Sequence, residues 1–240
     1  MIKLLVAFAS LVALPLAPAA AATKPSPRAA AAHDWSRTVA LTPEGGFRMG
    51  NPAARVKVVE YGSLACPHCR HFEETGYKPL VQKYVRTGQV SYEFRNLLLN
   101  GPDIAVSLIT RCSGAANFFP MSASVYAAQQ QWEGKIQQAV GGLNDAQKAE
   151  MEKMTDQQRI IRYAELGNLP QLGARFGVTP VRARQCLSDP KALQRLIGMT
   201  EAANKAGVDH TPTFFINGKV TDAAAWEQLE PLIRQAGARG

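Results

Sequence analysis

"VKVVEYGSLACPHCRHF", residues 56 to 72, decides how this chain folds. The β-branched, partly continuous apolar run Val56–Tyr61 reads as a buried strand. Gly62 and Ser63 break it. Cys66-Pro67-His68-Cys69 follows, and apolar residues recur at helical spacing to Arg86 through Phe72, Tyr77, Leu80, Val81, Tyr84 and Val85. Pro79 falls inside this run and is expected to kink or interrupt the helix. A second strand is expected near Val90–Phe94. Strand, helix and strand in so short a span make a βαβ unit with a parallel pair.

Working outward, residues 38 to 54, "TVALTPEGGFRMGNPAA", suggest a short strand near Arg37–Leu41 and turns at Glu44–Gly46 and at residues 50–52. From Pro102 to about Gly207 no strand pattern is found. Amphipathic helical runs are expected at Asp103–Cys112, Ser122–Gln138, Thr155–Leu166, Asn168–Phe176, Thr179–Leu187 and Asp189–Ala206. β character returns at residues 211–220, "TPTFFINGKV", where Asn217-Gly218 marks a hairpin turn. An amphipathic helix, "DAAAWEQLEPLIRQA", closes the pattern at residues 222–236. The expected fold class is therefore α/β, its first part at 51–101 and its second at 207–240. An all-helical insertion at 102–206 interrupts it. No internal repeat is visible.

Residues 1–22, "MIKLLVAFASLVALPLAPAAAA", read as an export signal. One early cation, Lys3, precedes an apolar run and small residues fit for a peptidase, with cleavage expected after Ala22. A retained anchor is the alternative, because residues 4–22 carry no charge, but Pro15 and Pro18 argue against a spanning helix. Residues 23–50 read as a Pro- and Ala-rich leader followed by the short strand. No later segment is long and apolar enough to span a bilayer, so an exported, soluble mature chain is expected. The formal net charge is +8, but the Lys and Arg residues are scattered, with no basic stripe interleaved with aromatics. Nucleic acid is therefore excluded as a partner, and a solvated basic surface remains.

Four cysteines, Cys66, Cys69, Cys112 and Cys186, allow three pairings. Spacing favours Cys66 with Cys69 and Cys112 with Cys186. The expected helix start puts Cys66 near the N-cap and Pro67 near the first helical position. Unpaired N–H groups there, together with His68 if protonated, stabilise a Cys66 thiolate and lower its pKa. A stabilised thiolate favours the dithiol form, which makes the disulfide the stronger oxidant. Cys66 is expected to be exposed and to take the attack, and Cys69, one turn in, to be covered and to resolve it. A metal site needs two more ligands at suitable spacing, and none accompanies this pair, so no metal is expected. A purely structural disulfide is the other reading.

The βαβ unit, the C-P-H-C helix start, the helical insertion and the late "TPTFFING" together resemble the thioredoxin fold. More closely, they resemble the DsbA family of periplasmic thiol:disulfide oxidoreductases, over about residues 50 to 237. The resemblance implies that Cys66 is the nucleophile, Cys69 the resolving cysteine and His68 the residue that stabilises the thiolate. It implies that Glu60 is the buried acid beneath the disulfide, able to relay protons to or from Cys69; an ordinary solvated strand-end Glu is the alternative. Pro212 matches the family's cis-proline, whose geometry turns the Thr211 backbone outward to pair with a substrate strand. Thr211 departs from the Val of strongly oxidising members, which leaves the potential open. His210 beside it is expected to be exposed, with at most a weak substrate contact. Related sequences also pair cysteines where Cys112 and Cys186 stand, a bridge expected to contribute about 4 kcal/mol in the chain-entropy model. Two buried free cysteines are the alternative.

The function so implied is an exported dithiol oxidase. A substrate thiolate attacks the Cys66–Cys69 disulfide, a mixed disulfide forms, and the substrate leaves oxidised. The resemblance implies reduced exported proteins as substrates, a membrane quinone-linked partner for reoxidation, no further cofactor and a monomer. A reductase or isomerase of the same fold is one alternative, although isomerases of this fold usually add an N-terminal dimerisation domain, for which the leader is too short. A holdase-type chaperone with a structural C-x-x-C is another.

Overall fold

The computed structural model describes residues 33–239. The expected signal peptide, its cleavage point and the leader up to residue 32 lie outside the described residues. The strand expected at Val56 is β3, Val56–Gly62, and it runs parallel to β4, Val90–Asn96, in register from Val56↔Val90 to Gly62↔Asn96. Gly62 is the last residue of β3, not its breaker.

Between the two strands lies α1, Pro67–Phe72, which continues through wider π-type turns at Glu73–Tyr77 and Leu80–Val85. Pro79 sits between these two segments with ordinary helical dihedrals, φ −63° and ψ −37°. The proline therefore does not end the helix. Wide turns relieve the clash and the missing donor that a proline brings to a regular one.

Two further strands, β1 at Val39–Leu41 and β2 at Phe47–Gly50, precede this unit. The hairpin appears as β5, Thr213–Ile216, and β6, Lys219–Val220. The six-stranded order is β1-β2-β4-β3-β5-β6, so β3 is central. β5 is antiparallel to β3, with Glu60 opposite Phe214. Alternation along β3 sends Val58 and Glu60 to one face and Val59 and Tyr61 to the other. The Glu60 face carries the main core, where Phe72 of α1 packs on Phe214 at 4.7 Å between ring centroids. The opposite face has a smaller cluster built on Tyr61, Leu97, Ala203 and Val208.

The insertion contains eight helices among the described residues: α2 Gly101–Cys112, α3 Ala115–Ala127, α4 Gln129–Gly141, α5 Asp145–Lys153, α6 Asp156–Leu166, α7 Leu169–Ala174, α8 Pro180–Leu187 and α9 Pro190–Lys205. The last helix is α10, Trp226–Gln235. The single helix expected at Ser122–Gln138 is in fact two, broken at Ala128 (φ −98°, ψ 4°). α3 joins the insertion to the sheet. Phe118 stacks on Phe47 of β2 at 4.0 Å and meets Phe94 of β4 at 5.7 Å, while Phe119 meets Tyr92 of β4 at 5.6 Å. Cys112 and Cys186 form a disulfide that ties α2 to α8.

Phe118 is fully buried where two sets of elements meet. Phe118→Ala should therefore cost about 3–5 kcal/mol, read as a lower urea midpoint at unchanged m-value.

Candidate active site

Cys66 is the N-cap of α1, with extended dihedrals (φ −86°, ψ 124°) and Pro67 as the first helical residue. The segment leading to it is clamped by side chains. Ser63 Oγ accepts from the Ala65 N–H at 3.1 Å and donates to Asp103 Oδ2 at 2.7 Å. Tyr126 donates its hydroxyl to the Ser63 carbonyl at 3.1 Å. Gln129 Nε2 donates to the carbonyls of Leu64 at 2.9 Å and Cys66 at 3.1 Å. Four backbone groups of the helix entry thus gain side-chain partners, and the three carbonyls among them are bonded by Tyr126 and Gln129 of the insertion.

Both thiols are reduced. The Cys66 pKa is brought down to about 5. The largest cause is a hydrogen bond from the Cys69 thiol; burial opposes it, and the Thr211 side chain and the N–H groups of Cys69 and His68 add to the lowering. Cys69 pays the complementary penalty: burial, then its donation to Cys66, push its own pKa well above the ordinary thiol value. The two sulfurs are therefore inequivalent, as expected. Exposure differs less than expected, because Cys66 is itself only 4% exposed against 1% for Cys69. The cause is the neighbouring loop. The Thr211–Pro212 peptide is cis, and the Thr211 carbonyl lies 3.3 Å from Cys66 Sγ. Pro212 is buried, Thr211 half-buried and His210 exposed, its Nδ1 2.8 Å from Asp209. The His68 side chain is exposed, and its contribution to the Cys66 sulfur is a backbone one.

Glu60 is buried, not a solvated strand-end residue. Tyr92 donates to Glu60 Oε2 at 2.6 Å. Burial raises the Glu60 pKa to about 8, although the Tyr92 and Cys69 hydrogen bonds work against the rise. Gly62 makes room for it, since a Cβ there would lie 2.7 Å from Glu60 Oε1 and 2.5 Å from the Phe94 ring. Glu73, one turn beyond Cys69, is also raised to about 8 by burial, and its charge opposes ionisation of Glu60. The arrangement can hold a thiolate at Cys66 while keeping a proton on Cys69 and an acid of near-neutral pKa beneath it.

Sequence reasoning missed Ser63, Tyr92, Asp103, Tyr126, Gln129 and Glu73. The contacts of Tyr126 and Gln129 span 63 to 65 residues of chain, and no local pattern announces them. Glu73 carries a weak signal, since it lies four residues after Cys69 and so on the same helix face.

Cys69→Ala should raise the Cys66 midpoint by roughly one unit or more, because the largest stabiliser of the thiolate is lost. Thiolate absorbance against pH reads this directly, and an unchanged midpoint near 5 would contradict the assignment of causes. For the reduced protein, a folded Glu60 pKa above the unfolded value means that the native state holds the extra proton between about pH 4.5 and 8. Its contribution to stability is thus fully present below that window and is lost as pH rises through it. Cys66, with a depressed pKa, acts in the opposite sense. Glu60→Gln should therefore be more stable than the parent at pH 8 by on the order of a few kcal/mol, with a smaller difference at pH 5. Urea unfolding of the dithiol forms at the two pH values measures it.

A family model described as Thioredoxin matches residues 42–235. A Rickettsia bellii protein named "Putative protein-disulfide oxidoreductase" is 30% identical over 195 residues, which are 80% of this chain and 65% of that protein. The chain thus spans somewhat less than two thirds of that relative's length. A protein-disulfide isomerase from Novosphingobium aromaticivorans has a similar structure, with TM-score 0.70 and 30% identity, over 79% of this chain and 96% of that one. Wolbachia pipientis alpha-DsbA1 shares the fold at TM-score 0.58 and 22% identity, over 82% and 92% of the two chains. With its thioredoxin sheet, its helical insertion and its Cys66–Cys69 pair beside a cis-proline loop, the chain belongs to the thioredoxin family and shares the DsbA-like fold.

Proposed function

We propose that the protein is an exported dithiol oxidase that donates its Cys66–Cys69 disulfide to reduced substrate proteins. The observation that carries this direction is the Cys66 pKa of about 5, far below that of a free thiol. A thiolate so stable is a good leaving group, and its stability favours the dithiol form of the protein. A substrate thiolate attacks Cys66 Sγ, and the electron pair of the broken S–S bond passes to Cys69. Cys69, whose own pKa is high, takes up a proton, for which the protonated Glu60 beneath it is a source. The substrate's second thiolate then attacks its own sulfur in the mixed disulfide and expels Cys66 as thiolate. Thr211, whose carbonyl borders Cys66 Sγ, is positioned to pair with the substrate backbone, and Pro212 fixes the loop.

His68 belongs to the same site as a helix-start residue beside the nucleophile. The substrates are reduced exported proteins, and reoxidation falls to a membrane quinone-linked partner, both by family resemblance. The Cys112–Cys186 bridge, which ties α2 to α8, takes no part in this exchange. The export signal read at residues 1–22 supports a periplasmic location for the enzyme.

Equilibration with glutathione redox buffers tests the direction. A potential well above that of thioredoxin is expected, and a value as low as thioredoxin's would reassign the protein as a reductase. Cys66→Ser should abolish oxidation of a reduced model protein. If chaperone activity alone were found and it survived that substitution, the holdase reading would replace this one.

A further inference from the structure

At the other end of α2 from Asp103, a pocket of about 270 Å³ opens against the second disulfide. Its walls include Leu41 of β1, Cys112 and Arg111 of α2, Cys186 of α8 and Arg195 of α9. Arg111 is held firmly. Its guanidinium lies over the Phe47 ring at 4.9 Å, donates from Nη1 to Asn96 Oδ1 at 3.0 Å and from Nη2 to the Gly45 carbonyl at 2.7 Å. These partners are all neutral, so they orient the cation without cancelling its charge. Arg195 is exposed. Among the described residues neither arginine has a carboxylate within ion-pair distance. Burial first, and the Arg195 charge second, bring the Arg111 pKa down to about 10.

Two uncompensated cations sharing a pocket wall with a disulfide have a chemical meaning. They attract an anion into the pocket, and they stabilise any thiolate released there. The bridge offers a point of attack, because Cys186 is partly exposed whereas Cys112 is buried. Apolar Leu41, 48% exposed, supplies a surface for the body of a ligand.

We propose that this pocket docks small thiols bearing carboxylates and presents them to the Cys112–Cys186 disulfide, making it a second exchange site independent of Cys66. The bound thiolate attacks Cys186 Sγ, forming a mixed disulfide, and the electron pair of the broken S–S bond leaves on Cys112. That thiolate, beside Arg111, then takes a proton from solvent. A second small thiolate attacks the small-molecule sulfur of the mixed disulfide, and Cys186 departs as a thiolate. Two small thiols are oxidised to their disulfide and the protein bridge is reduced by two electrons.

The test uses the full chain with Cys66→Ser and Cys69→Ser, so that only the second bridge reacts. Its reduction is followed by alkylation and mass spectrometry with glutathione (anionic), 2-mercaptoethanol (neutral) and cysteamine (cationic), each rate normalised to thiolate concentration and nucleophilicity. Glutathione should be fastest and cysteamine slowest, about tenfold apart at low salt and converging toward one another at about 0.5 M salt. Adding Arg195→Glu, which leaves the Arg111 charge balanced by a carboxylate, should bring the three rates to within about twofold of one another. Circular dichroism melting of that variant checks that the exposed substitution leaves the fold intact. Rates that depend on thiolate concentration alone would overturn the proposal. So would an unchanged order in the Arg195 variant, or a bridge that none of the three thiols reduces in the folded protein.

Discussion

The Cys69 thiol is the largest influence favouring charge on the neighbouring Cys66 sulfur, and the surrounding structure treats the two sulfurs differently. The donor must keep its proton, so Cys69 is sealed in the core. The acceptor must keep its charge, so Cys66 stands at a helix start, where backbone N–H groups also point at it. Burial, which works against the charge on Cys66, works for the proton on Cys69. The same low-dielectric setting therefore separates two chemically identical groups that lie three residues apart.

Below the pair, the central strand contributes an acid where the alternation of a buried strand would ordinarily place an apolar side chain. Glu60 is tolerated there because it has a partner in Tyr92 and because its neutral form dominates over much of the physiological range. Gly62 leaves the volume that the carboxyl group occupies. Above the pair, the insertion supplies the other half of the clamp. Asp103 lies in the first turn of α2, Tyr126 in the last turn of α3 and Gln129 at the start of α4, and all three contact the segment from Ser63 to Cys66. The helical insertion is thus part of the setting of the Cys66–Cys69 pair and not an appendage to it.

The parts of the fold legible in the sequence were those set by local pattern. The β3–α1–β4 unit, the Asn217-Gly218 hairpin and the alternation of helices through the insertion all follow from period, turn residues and caps. β2 was missed because "FRMG" is four residues long, holds an arginine and is flanked by glycine. α5 was missed although Asn144 and Gln147 spell a capping box, because its faces are almost wholly polar. The break at Ala128 has no breaker residue; tertiary contacts of Phe118 and Gln129 decide it. In the site, Cys66 and Cys69 were readable from their spacing and Glu60 and Pro212 from resemblance. The clamp was not, because it is made by pairs of residues that only the folded chain brings together.

The break at Ala128 has a mechanical side. It lets α3 press its aromatic pair into the sheet while α4 starts afresh with Gln129 gripping two carbonyls of the cysteine loop. One amide group thereby acts as a rivet between the insertion and the Cys66 backbone. A tilt of α4 against the sheet cannot be absorbed silently; it must either shear that rivet or drag the Cys66 carbonyl with it. The position of the reactive sulfur is in this sense gauged from the insertion, and a partner that grasps only the helices has a lever on the chemistry.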